Sequence, residues 1–197
     1  PINVYRELIR MHRQEALSFA NVVTFNLDEY WPMKPHAIQS YYRWMHENFF
    51  NHVNIPRQNI NIPDGTARKV DEFCRKYEQA IAKAGGIDLQ ILGIGRTGHI
   101  GFNEPGSSSA SRTRLIHLDR VTRLDAASDF FGEENVPKQA ITMGVGTIMA
   151  ARSVCLLAFG EHKAPIIRRA VEEPINSTVA GSYLQGHPDA TFYMDSS

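Results

Sequence analysis

Apolar and polar positions alternate along the chain in two distinct periods. Over residues 2–15, Tyr5, Leu8, Ile9 and Met11 recur at helical spacing among Arg and Glu, which predicts an amphipathic surface helix; Pro1 suits its first turn. Residues 40–50 are aromatic and helix-like, and Val70, Phe73, Cys74, Tyr77 and Ile81 mark another amphipathic helix, stopped by Gly85 and Gly86. Short β-rich or apolar runs at 22–27, 89–94, 114–118, 140–143, 154–159 and 191–194 read as strands. A helical turn is expected over 147–151, and a helix over 163–172, ended by Pro174. Residues 51–65, with Pro56, Pro63 and Asp64-Gly65, read as an irregular connection. Strands alternating with helices imply an α/β fold with a mostly parallel sheet covered by helices on both faces.

The pattern breaks most sharply after the run at 89–94. Glycines stand at 93, 95, 98 and 101, with His99 and Glu104 among them, so a strand delivers a histidine and a carboxylate onto a glycine-rich loop. In parallel α/β sheets the segment past a strand's carboxyl end is where ligands bind. Two further strand ends carry candidate chemistry: Asp28-Glu29 after the first run, and Lys163 beyond the run that ends at Gly160. Such segments gather at one sheet edge, so residues remote in sequence can share a pocket.

Composition narrows the classes. At 197 residues, 43% of them hydrophobic, the chain fits one α/β domain over residues 1–197. Lys+Arg and Asp+Glu both number 21, so no basic excess predicts a nucleic-acid partner or an anionic membrane. No apolar run is long enough to span a bilayer. Cys74 and Cys155 are the only cysteines; reduced thiols in a cytoplasmic protein are expected, with a single disulfide as the alternative. Because the first residue is Pro1 rather than Met, a processed or partial chain is expected.

Each candidate has a plainer competitor. His99 can exchange protons near neutral pH on a loop held by glycines, although an isolated histidine is more often satisfied by local backbone. Glu104 can orient the imidazole or bond nearby N–H groups. Asp28 can act as a base, but one of Asp28 and Glu29 can equally be a turn former or a helix cap. Lys163 can hold a phosphate near a helix start or simply be solvated. Residues 93–98 match a dinucleotide fingerprint only loosely, the histidines show no metal-ligand spacing, and Ser107-Ser108-Ser109 is not a nucleophile elbow. NAD, zinc and serine-hydrolase chemistry are therefore disfavoured.

Several stretches in register, Thr24-Phe25-Asn26-Leu27-Asp28-Glu29-Tyr30, Ser40-Tyr41-Tyr42, Gly98-His99-Ile100-Gly101-Phe102-Asn103-Glu104-Pro105, Ser111-Arg112-Thr113-Arg114 and Gly144-Val145-Gly146-Thr147, resemble glucosamine-6-phosphate deaminase across nearly the whole chain. The resemblance implies a Rossmann-like three-layer sandwich, no metal or organic cofactor, and conversion of glucosamine 6-phosphate to fructose 6-phosphate and ammonia. It also implies a small-molecule sugar-phosphate substrate and a homo-oligomer. By resemblance His99 assists ring opening, Asp28 moves the proton between C2 and C1, Glu104 tunes His99, and Lys163 contacts the phosphate. The family's phosphate loop follows an earlier strand, and Pro1 aligns with the proline of that loop, so the chain is expected to lack its first strand and phosphate loop.

Three departures accompany the resemblance. The family's aspartate two residues before the histidine is Thr97 here, and a hydroxyl cannot supply a carboxylate's charge, so the imidazolium is less stabilised. A phosphate-holding arginine aligns near Ser128-Asp129. Arg114 fits an allosteric basic position whose partner lysine is replaced by Ile116. Two other readings stay open: a non-catalytic sugar-phosphate-binding regulatory module, and a 6-phosphogluconolactonase-type hydrolase that shares the fold by resemblance.

Overall fold

The computed structural model describes residues 1–195. Six α-helices run through them: α1 (Ile2–Gln14), α2 (Tyr41–Asn48), α3 (Val70–Lys83), α4 (Arg120–Ala126), α5 (Val145–Ile148) and α6 (Ala164–Glu172). The strands are β1 (Thr24–Phe25), β2 (Asp28–Trp31), β3 (Ile60–Asn61), β4 (Leu89–Gly93), β5 (Arg114–His117), β6 (Gln139–Thr142), β7 (Ser153–Ala158) and β8 (Ala190–Met194). β1 pairs in parallel with β3, and β4, β7 and β8 form a parallel ladder in that order. The fold is α/β, as the alternation of elements predicts.

The parallel sheet has a companion that the pattern does not predict. β6 lies between β2 and β5 and runs antiparallel to both. Asp28-Glu29-Tyr30, read from sequence as a strand tip, is thus itself a strand, with Asp28 opposite Thr142 and Glu29 opposite Ile141. An acidic pair looks like a turn in sequence because β-propensity reflects a half-buried surface, and the partner that buries it lies more than a hundred residues away.

β4 buries alternate positions rather than its whole apolar run. Gln90 and Leu92 are buried, whereas Leu89 is 53% exposed. It bonds only β7 within its ladder, and one covered face is enough to impose a period of two. β7 buries Val154, Leu156 and Ala158 on one face. Tyr77 and Ile81 from α3 and Ile166, Ile167 and Ala170 from α6 complete this core with Ile94 and Ile100. The strand ends are thereby clamped between helices, which fixes where the loop after β4 leaves the sheet.

A second cluster, Tyr30, Phe102, Phe130 and Ala140, packs beneath the antiparallel strands. A third joins α1 to α2 through Tyr5, Phe19, Phe49 and Phe50. The connection at 51–65 carries two short 3-10 turns and β3, and residues 180–186 form a further 3-10 helix.

Candidate active site

The loop from Ile94 to Glu104 is built around its histidine. The Gly95 amide donates to the His99 carbonyl at 2.9 Å and the Gly98 amide to the Gly95 carbonyl at 2.9 Å, closing a tight turn. The imidazole folds back over Gly95, where any Cβ would overlap the ring. Only glycine permits that close approach.

Within this turn the Thr97 hydroxyl lies 2.9 Å from His99 Nδ1, and Glu104 Oε2 lies 3.5 Å from the same nitrogen. The His99 and Glu104 side chains are only 15% and 13% exposed. Glu104 Oε1 accepts the Asp119 amide at 3.1 Å, while Oε2 is buried without a hydrogen bond. Burial pushes the His99 pKa down; the Glu104 charge opposes this, Lys163 adds to it, and Asp125 and Asp119 pull upward. A hydroxyl in place of a carboxylate at position 97 agrees with an imidazole that is neutral near pH 7.

Asp28 reaches the same loop from β2. Gly101 has φ +55, and a Cβ there would stand 3.1 Å from Thr142 Oγ1 and 3.5 Å from Asp28 Oδ2, which locates the carboxyl group against the loop two residues after His99. Desolvation, and next the neighbouring Glu29 charge, push the Asp28 pKa up to about 7. Asp28 also raises the phenol pKa values of Tyr41 and Tyr77, which burial already holds high.

Glu29 does something else. It is 1% exposed and accepts the Tyr30 amide at 2.9 Å, the Ser40 hydroxyl at 2.8 Å, the Tyr41 amide at 3.1 Å and the Tyr42 amide at 2.9 Å. It anchors the first turn of α2, together with the Ser40 cap. The acidic pair therefore divides into one carboxyl facing the loop and one serving a helix, as alternation along a strand requires.

Lys163, at the end of a 3-10 turn before α6, donates to the Ile94 carbonyl at 2.8 Å. Arg114, on β5, donates to Asn103 Oδ1 at 2.9 Å and to the Ser107 hydroxyl at 3.1 Å. Asn103 is fully buried, and its amide nitrogen donates to the carbonyls of Ile100 and Met143 at 2.8 Å each. Arg114 thus braces the His99 loop from behind. Ile116, two residues on, packs against the Tyr30 cluster, so that position serves packing.

The structure gathers Asp28, His99, Glu104, Lys163 and Thr97 around one loop. Sequence reasoning missed Asn103, Thr142, the α4 cap Asp119 and, within α4, Asp125. Asp119 had a readable signal, an N-cap whose Oδ1 accepts the Val121 amide at 2.7 Å; the others are defined only by tertiary contact. Ser128 and Asp129 lie exposed in the turn after α4. Two open clefts, of about 440 and 400 Å³, border α2 and α1 and include no residue of the His99 loop. Among the described residues no group of three or more His, Cys, Asp or Glu is placed to hold a metal ion.

An α/β sheet with an acid–imidazole loop past a parallel strand, against which a near-neutral carboxyl group and a lysine are set from other elements, defines a class of proton-transfer sites. Residues 1–189 match the glucosamine-6-phosphate isomerases/6-phosphogluconolactonase family, and the chain belongs to it. Its kinship lies on the deaminase side. The chain is 47% identical over 196 residues to a glucosamine-6-phosphate deaminase of Thermoanaerobacter pseudethanolicus, covering 99% of this chain and 77% of that one. It is 51% identical over 197 residues to a glucosamine-6-phosphate deaminase-like protein of Bacteroides thetaiotaomicron, of whose length it spans 30%. A solved structure of a monomeric glucosamine-6-phosphate deaminase superposes with a TM-score of 0.97 at 42% identity, over 100% of this chain and 81% of that one. The 6-phosphogluconolactonase of Thermotoga maritima shares the fold, with a TM-score of 0.74 at 21% identity over 98% and 80% of the two chains.

Proposed function

We propose that this chain catalyses the deaminating isomerisation of glucosamine 6-phosphate to fructose 6-phosphate and ammonia, consuming one water. The observation that carries the reading is the meeting of Asp28 and His99 on one glycine loop, with the carboxyl pKa near 7 and the imidazole pKa below its ordinary 6.5. Opening the pyranose moves a proton from the C1 hydroxyl to the ring oxygen. A neutral imidazole can take that proton from the hydroxyl and hand it to the ring oxygen. Asp28, ionised above about pH 7, then removes the C2 proton as O1 is protonated, giving the C1–C2 enolamine, and delivers it to C1 as the amino group gives up an N–H proton. The resulting C2 imine is hydrolysed, releasing ammonia.

In this reading Glu104 is a positioning residue for His99, Lys163 holds the substrate phosphate, and Arg114 secures the loop. The allosteric role expected of Arg114 is kept as a proposal; its bonds to Asn103 and Ser107 brace the loop as well. A cytoplasmic setting accords with free Cys74 and Cys155 and with the absence, among the described residues, of a helix long and apolar enough to cross a membrane. For the expected homo-oligomer, the monomeric relative makes gel filtration decisive.

Ammonia and fructose 6-phosphate should form from glucosamine 6-phosphate, with Asp28→Asn lowering kcat by roughly 10²–10⁴. Turnover no higher than in an Asp28→Asn/His99→Gln double mutant would sink the proposal. Thr97 in place of a carboxylate favours the second reading, a sugar-phosphate-binding module; thermal stabilisation by amino-sugar phosphates without product would support it. Lactone hydrolysis without action on amino sugars would instead support the lactonase reading.

A further inference from the structure

Arg96 leaves the loop between Gly95 and Thr97, and its guanidinium meets Asp125 on α4, Nη2 to Oδ1 at 2.7 Å. Both side chains are largely in water, 64% and 46% exposed. An ion pair that open to solvent contributes at most about 1 kcal/mol, so it binds loop to helix only weakly. Other arginines of the region are committed elsewhere: Arg114 to Asn103 and Ser107, Arg123 to Glu133.

Two residues before Arg96, the Ile94 carbonyl accepts the Lys163 ammonium. Two cations thus flank residues 94–96, one fixed by a backbone carbonyl and one paired with an exposed, exchangeable carboxylate. The acidic end of that pair is within electrostatic reach of the chemistry, since Asp125 and Lys163 both act on His99. A phosphate dianion offers a guanidinium a bidentate, doubly charged partner, which a single carboxylate oxygen cannot match.

We propose that Arg96 is a second phosphate ligand of the site: the substrate's phosphate takes the guanidinium from Asp125 and is held jointly by Arg96 and Lys163. This rests on the sugar-phosphate reading above. It assigns Asp125 the role of a placeholder that occupies Arg96 until a phosphorylated sugar arrives. A sugar without phosphate leaves the Arg96–Asp125 pair closed, so the exchange discriminates for phosphorylated substrates.

Calorimetric titration of inorganic phosphate and of fructose 6-phosphate into the wild type, Arg96→Met, Arg96→Lys and Asp125→Asn tests the assignment. Arg96→Met should weaken both ligands by roughly tenfold or more, and Arg96→Lys by less, because the ammonium keeps the charge and loses the fork. Asp125→Asn should tighten both about two- to fivefold, since a neutral amide competes less for the guanidinium. Unchanged phosphate affinity in an Arg96→Met protein with native circular dichroism overturns the proposal. So does an equal weakening of unphosphorylated glucosamine, which would place Arg96 on the sugar or the fold instead. Ammonia release by the wild type is scored separately: phosphate binding that depends on Arg96 without ammonia release supports this site and removes the deaminase reaction.

Discussion

At the scale of single residues, the site's two proton carriers are displaced in opposite directions, and both displacements have consequences in solution. Asp28 holds its proton to about pH 7 against an ordinary 3.8. Between those values the native chain keeps a proton the unfolded chain has lost, so the stability this group contributes is full below about pH 4 and is lost as pH rises through 7. Asp28→Asn should therefore be more stable than the wild type at pH 8, by up to about 4 kcal/mol, by less at pH 5, and nearly equal to it only below about pH 4; urea melts at pH 4 and pH 8 check this. The acid limb of kcat should likewise rise with a midpoint near 7 in the wild type. Thr97→Asp adds a carboxylate beside His99 Nδ1, where the hydroxyl now sits at 2.9 Å. It should raise the imidazole pKa, read directly by an NMR titration of the ring; a midpoint unmoved or lowered would contradict the electrostatic account.

At the scale of elements, the Glu29 carboxylate and the first turn of α2 form one unit. Glu29→Ala removes a buried acceptor of four hydrogen bonds and leaves the Tyr30 and Tyr41 amides and the Ser40 hydroxyl short of a partner, while the Tyr42 amide keeps the Ser40 hydroxyl. It should cost about 3 kcal/mol or more in a denaturant melt, against about 1 kcal/mol for the exposed type of cap loss. Much at this scale was legible in the sequence. The helices α1, α2, α3 and α6 and the strands β4 to β8 announce themselves through period and flanking glycine or proline, and the strand-end logic found Asp28, His99, Glu104 and Lys163. What escaped has a common cause. α4 is a seven-residue helix of mixed charge, Arg-Val-Thr-Arg-Leu-Asp-Ala, too short to show a periodic stripe. β2 carries its carboxylates on a paired strand, and only β6, remote in sequence, makes that geometry necessary. Arg96 and Asp125 meet across 29 positions, and no local pattern could pair them.

At the scale of the whole molecule, one core holds the ladder that presents the site. Leu156 is fully buried between helices, whereas Leu157 on the next position of β7 is only partly so. Leu156→Ala should cost about 2–5 kcal/mol and Leu157→Ala distinctly less, a contrast that thermal melts of the two variants measure. The fold itself is shared with a lactonase at 21% identity, so global shape does not choose the chemistry; the loop and its surroundings do. The adjacency of Asp28 and Glu29 on β2 carries a further meaning for how this chain can change over time. One strand supplies a working acid and a structural one at consecutive positions, and a shift of its frame by a single residue would exchange their faces. Insertions or deletions of one residue between β1 and β2 would thus disable the site and unanchor α2 together. The reading frame of six residues, Thr24 to Glu29, is accordingly where this molecule should be least able to drift.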